Sequence, residues 1–168
     1  MPDDAPRISR PGRIEELPVL VDHVREACAR AGADHATAFE VRLAVEEVCM
    51  NLIRHGYAGG EPGPIEIGVG AEPGRLVVTI VDFSPPFAPE DAPAPDLSSD
   101  AEHRTPGGLG WHLVKRVVDE IRYAPGGPRG NRLTLVKYFE RGETKEDVHG
   151  NHGARIGSAD GGRDPRER

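Results

Sequence analysis

Glu47, Asn51 and His55 recur at intervals of four inside an otherwise apolar segment, Phe39 to Ile53. On a helix that spacing makes one polar ribbon continuing the line of Phe39 and Leu43. Burying an unpaired carboxylate costs on the order of several kcal/mol, so Glu47 requires either a protein partner or a wet cleft. The plainer use of Glu47 is a hydrogen bond to Asn51 or an ion pair with an arginine at the helix edge. Glu46 points roughly 100° away and reads as solvated surface paired with Arg42 at i, i+4. Gly107-Gly108-Leu109-Gly110 precedes a second apolar periodicity. Glycines opening a helix let backbone N–H groups approach an anion at the positive end of the dipole, although glycine also serves simply to end a loop. Asp82 closes an apolar run just before Phe83-Ser84-Pro85-Pro86-Phe87, where an aspartate ordinarily caps the following turn.

These residues need elements to hold them. Leu17, Leu20, Val21, Val24, Ala27, Cys28 and Ala31 recur at helical spacing up to Gly32. Asp34 offers an N-cap for a second helix from residue 36 to about residue 55, apolar around most of its circumference. Ile65, Ile67 and Val69 alternate as a half-buried strand, Pro73-Gly74 makes a turn, and Leu76 to Val81 suits a central strand. Between residues 84 and 106, six prolines among acidic and small residues exclude regular structure. A loop beyond about 12 to 15 residues in a compact domain is a lid, a binding loop or a linker. Leu109, Leu113, Val117 and Ile121 predict a third helix, and residues 132–139 a last strand. Residues 1–13 read as an N-terminal tail, 14–139 as one domain, and 140–168 as a disordered tail of mixed charge and glycine. Helices on one face of a mostly antiparallel sheet bury such a set economically, so the fold class is α+β, a two-layer sandwich.

A chain of 168 residues suits one domain. A formal net charge of -7 with no basic cluster argues against nucleic-acid binding. No apolar run approaches the roughly 18 residues of a membrane span, so the expectation is a soluble cytoplasmic protein. Cys28 and Cys49 lie in apolar helical patterns without C-x-x-C spacing and read as buried free thiols. His149 and His152 lack carboxylate or cysteine company and read as solvated rather than as a metal pair.

Taken in order, the polar features resemble the boxes of the Bergerat-fold, histidine-kinase-like ATPases, and within them the bacterial anti-sigma-factor serine/threonine kinases. The stretch Val45-Glu46-Glu47-Val48-Cys49-Met50-Asn51-Leu52-Ile53-Arg54-His55-Gly56-Tyr57 resembles that family's N-box. Asp82 to Phe87 resembles the next box, Gly107 to Leu113 the glycine-rich box, and Asn131 to Lys137 the last strand. The likeness runs from about residue 17 to residue 139. It implies ATP and Mg²⁺ as cofactors, with Asn51 on the metal and Glu47 as general base. It also implies Asp82 on the exocyclic amine of adenine, Thr134 on the same ring edge, Gly107, Gly108 and Gly110 at the phosphates, and residues 88–106 as a mobile lid. The implied activity is protein serine/threonine phosphorylation of an anti-sigma-factor antagonist by a homodimer that also sequesters a sigma factor. The alternative is an ATP-binding regulatory module without kinase activity. Ser84 departs from the family, which places glycine two residues after the aspartate, and a side chain there is expected to narrow the adenine pocket or stiffen its floor. The catalytic half of a two-component histidine kinase fits less well, because His23 sits on a short helix without a dimerising hairpin.

Overall fold

Six of the seven apolar residues at helical spacing, with a proline in the first turn, build α1, Leu17–Arg30, with Leu20, Val24 and Cys28 fully buried. The computed structural model describes residues 6–86 and 108–140. Gly32, at φ 73°, ends this turn of chain, and Asp34 then caps α2, His35–Asn51, by accepting from the Thr37 N–H at 2.9 Å. Val41, Ala44, Val45, Val48 and Cys49 are the buried stripe of α2. Phe39 is exposed instead, with the Arg42 guanidinium 5.3 Å above its ring, and Arg42 pairs with Glu46 at 2.9 Å. Burial pushes the Cys28 thiol up to about 11 and the Cys49 thiol up to about 12, so both stay protonated in the core.

Five antiparallel strands form one sheet in the order β1-β2-β3-β5-β4: β1 Arg7–Pro11, β2 Pro64–Glu72, β3 Arg75–Asp82, β4 Glu120–Ala124 and β5 Asn131–Tyr138. Ile65, Ile67 and Val69 on β2, Leu76, Val78 and Ile80 on β3, and Leu133 and Leu135 on β5 point to the same face. They share one core with α1, α2 and α3, Gly108–Val117. Helices on one face of an antiparallel sheet are the α+β two-layer arrangement expected from the pattern.

Three boundaries differ from the sequence reading. Residues Arg7–Pro11 belong to the sheet rather than to a tail, in register from Arg7 opposite Gly68 to Pro11 opposite Pro64. Only Ile8 in that stretch is apolar, so the strand is specified by pairing at an edge, where proline is tolerated at the end. Ile121 lies in β4, not on α3, whose buried side chains among the described residues are Trp111 and Val114, followed by Val118 just past its end. The second helix gives way after Asn51 to a π turn over Leu52–Gly56. The lid expected at residues 88–106 and the tail from residue 141 onward lie outside the described residues.

Lys137 ties the layers together: its ammonium donates to the Val117 carbonyl at the end of α3 at 2.9 Å and pairs with Glu40 of α2 at 2.7 Å. The last carbonyls of a helix favour such a cation.

The Thr37 backbone N–H, with its hydroxyl adding to the effect, holds the Asp34 carboxyl below its ordinary value. A carboxyl depressed by folding contributes stability that is present above its unfolded-state value and lost as pH falls through its folded-state value. Asp34→Ala is therefore expected to lower the thermal midpoint at neutral pH. That deficit should shrink as the acid side of the carboxylate range is reached, and a deficit independent of pH would contradict the cap.

Candidate active site

Gly110, in the first turn of α3, packs on the polar edge of α2. A Cβ built there would overlap the Glu47 Oε2 oxygen and would lie 3.4 Å from its carboxyl carbon and 3.9 Å from the Asn51 amide nitrogen. The two side chains singled out by their spacing thus face the glycine-rich opening of α3. Both are only half-buried, which suits a wet cleft better than a sealed ion pair. No ion pair to Glu47 is found among the described residues. Gly108 begins α3 in the same turn as Gly110, while Gly107 falls outside the described residues.

Beyond Asn51, the Tyr57 N–H reaches back to the Leu52 carbonyl at 2.9 Å, an i to i+5 bond. One extra residue in the turn breaks the ribbon at His55, which is exposed. The same turn delivers Gly56 against Ser84: a Cβ at 56 would stand 3.0 Å from both the Ser84 Cβ and Oγ. It also drops the Tyr57 ring into a slot between Gly12 and Gly63, where a Cβ on either would come within 2.7 Å of the ring. The Tyr57 hydroxyl donates to the Pro64 carbonyl at 2.7 Å and accepts from the Phe83 N–H at 3.0 Å. Burial, with the nearby Asp82 charge adding to it, raises the Tyr57 phenol above its ordinary value and keeps this donor protonated. The end of the α2 segment is thereby riveted to the chain just after Asp82.

Asp82 is buried at the end of β3. Its Oδ1 accepts from the Ser84 N–H at 2.9 Å, the Ser84 hydroxyl at 2.5 Å and the Asn131 amide at 3.1 Å, and that amide also donates to the Ser84 carbonyl at 2.8 Å. Asn131 stands directly opposite Asp82 in the register. Gly130 before it, at φ 77°, passes so close that a Cβ would lie 2.7 Å from the Asp82 carbonyl oxygen.

Thr134, by contrast, pairs with Thr79 and Arg122, three residues further along, on the face of the sheet away from Asp82. A period of two decides this: Asp82 and Asn131 share the helix-covered face with Ile80 and Leu133, whereas Thr134 does not. The structure therefore brings Asn131, and not Thr134, to Asp82; sequence reading missed Asn131 because its significance lies wholly in a cross-strand partner.

Among the described residues, no group of three or more His, Cys, Asp or Glu could hold a metal ion. A single amide beside a carboxylate fits Mg²⁺ shared with phosphates, because that ion keeps several waters and takes few protein ligands.

The family described as histidine kinase-like ATPase domain matches residues 11–137. The chain belongs to that family. It is 23% identical over 141 residues to the serine-protein kinase RsbW of Bacillus cereus (strain AH187), covering 82% of this chain and 86% of the relative. The RsbW of Bacillus thuringiensis (strain Al Hakam) matches to the same extent. The crystal structure of the RsbU and RsbW domains of Rv1364c from Mycobacterium tuberculosis superposes with a TM-score of 0.53 at 22% identity. That alignment covers 79% of this chain and 32% of the longer one, and it shows the shared fold. The resemblance to the anti-sigma-factor kinases of the histidine kinase-like ATPase superfamily is thus matched by sequence relatives and by fold. No helix among the described residues is long and apolar enough to cross a membrane.

In this ATPase domain Tyr57 joins the helix end to the Asp82 turn. Tyr57→Phe removes one hydroxyl and leaves the Pro64 carbonyl and Phe83 N–H without it, which is expected to lower unfolding free energy by about 1 kcal/mol. Urea denaturation measures this, and an unchanged midpoint would show that the rivet carries no load.

Proposed function

We propose that this chain is an ATP-dependent protein serine/threonine kinase that acts as an anti-sigma factor, phosphorylating an antagonist protein and sequestering a sigma factor as a homodimer. The observation that carries the reading is the Glu47 carboxylate lying beside Asn51 and against Gly110 at the start of α3. The relatives named serine-protein kinase support the same activity.

On this reading the triphosphate lies at the N-terminal end of α3, where Gly108 and Gly110 keep the backbone open and unpaired N–H groups meet anionic oxygens. Asn51 would hold Mg²⁺ together with the phosphates, and the ion would neutralise charge on the transferring group. Glu47 would take the proton from a serine or threonine hydroxyl of the antagonist as that oxygen bonds to the γ-phosphorus and the bond to the β,γ-bridging oxygen breaks, leaving ADP. Asp82 would accept from the exocyclic amine of adenine; guanine presents an oxygen at that position.

Glu47→Gln keeps the shape of the side chain and removes its basicity. Phosphoryl transfer from Mg-ATP to a purified antagonist protein is expected to fall by about 10²- to 10⁴-fold. Calorimetric affinity for Mg-ATP should change by no more than about threefold, less than the contribution of one hydrogen bond. Normal transfer by the variant would remove Glu47 as the base, and binding without transfer by the unaltered protein would leave a nucleotide-binding module.

A further inference from the structure

The three donors on Asp82 converge on one oxygen. A carboxylate oxygen has two in-plane lone pairs, and three donors, the Ser84 N–H, the Ser84 hydroxyl and the Asn131 amide, share those of Oδ1, which leaves it no capacity for a further one. Rotating the carboxylate out of its plane would break all three bonds at once. The donors found among the described residues leave Oδ2 free, with its direction fixed. The second Asn131 amide hydrogen binds the Ser84 carbonyl, so Asp82, Ser84 and Asn131 close a ring in which each member orients the next.

Glycine at 84 could supply the backbone N–H of this ring but not the hydroxyl. The hydroxyl is housed because residue 56 is itself glycine: a Cβ there would press on the Ser84 Cβ and Oγ at 3.0 Å. A side chain at position 84 therefore does not merely intrude on a glycine site; it sits in room left by Gly56 and spends its oxygen on Asp82.

We propose that Ser84 and Asn131 are positioning residues that grip the Asp82 carboxylate by Oδ1 and aim Oδ2 at the nucleobase, selecting 6-aminopurine over 6-oxopurine nucleotides. The inference rests on the reading of this cleft as an ATP site. A fixed, acceptor-only oxygen receives an exocyclic N–H and opposes a carbonyl oxygen lone pair to lone pair. A loose carboxylate could rotate away from the second and discriminate less.

Calorimetry with the magnesium complexes of ATP, GTP and purine riboside triphosphate, which lacks the exocyclic amine, separates the effects. Ser84→Gly and Ser84→Ala are expected to weaken ATP binding about 5- to 10-fold, the worth of one hydrogen bond, and to narrow the ATP to GTP preference by a similar factor. Their affinity for the amine-free nucleotide should stay at the wild-type value, a distinction that general damage to the fold would not preserve. Gly56→Ala, which crowds the hydroxyl, should reproduce the ATP-specific loss, and Ser84→Gly should relieve the crowding that Gly56→Ala introduces. ATP binding by Ser84→Gly as tight as wild type, or equal losses for ATP and the amine-free nucleotide, would overturn the grip while leaving the ATP site standing. A wild-type chain that binds neither ATP nor GTP would overturn the site and the grip together.

Discussion

The approach of α3 to α2 rests on an absent side chain. With any Cβ at position 110 the Glu47 carboxylate would have to move, and with it the relation between the acid, the Asn51 amide and the first turn of α3. Packing elsewhere fixes that distance from both sides. Val41, Ala44, Val45, Val48 and Cys49 lock one face of α2 into the core, and Trp111 and Val114 lock α3 against it. Neither helix can retreat without opening a cavity that costs on the order of 2–5 kcal/mol for each large apolar side chain exposed. The polar edge is consequently held in place by apolar contacts that take no part in its chemistry.

The second end of the cleft is joined to the first through the π turn. By adding one residue to the helical repeat it sends His55 outward, brings Gly56 onto Ser84 and sets the Tyr57 hydroxyl between the Pro64 carbonyl and the Phe83 N–H. Asp82 and Asn51 come from distant elements, yet only about one and a half turns of chain separate Asn51 from the contact with the Asp82 turn. A displacement of α2 along its axis would therefore be felt both at Glu47 and Asn51 and at the Asp82 turn. Insertions of this kind in helices are commonly found at functional sites.

How much of this was legible follows from the range of each signal. The pair Glu47 and Asn51 is a local pattern, four residues apart on an apolar helix, and it was visible in the text of the sequence. So were the Asp34 cap, the Arg42 to Glu46 pair and the buried cysteines, each decided within a few residues. Asn131 was not legible, because its partners Asp82 and Ser84 lie almost fifty residues away and are set by strand register. That Thr134 lies on the face away from Asp82 was not legible for the same reason: a shift of parity in a strand reverses its face, and the order of residues in a motif does not report parity by itself. The strand Arg7–Pro11 carries one inward apolar residue and is made by backbone pairing, which leaves little trace in composition. Ile121 continued a helical period past the point where β4 begins, a case of sheet pairing overriding local spacing.

On the proposed function, Glu47, Asn51 and Gly110 would line one end of a nucleotide cleft whose other end is Asp82. A crystal structure of the protein with Mg²⁺ and a non-hydrolysable ATP analogue tests it most directly. The account predicts the metal about 2.1 Å from the Asn51 amide oxygen, the terminal phosphate between Glu47 and the first turn of α3, and the adenine amine on Asp82 Oδ2. A nucleotide bound elsewhere, with Glu47 and Asn51 closed on each other and Gly110 sealed against them, would contradict it.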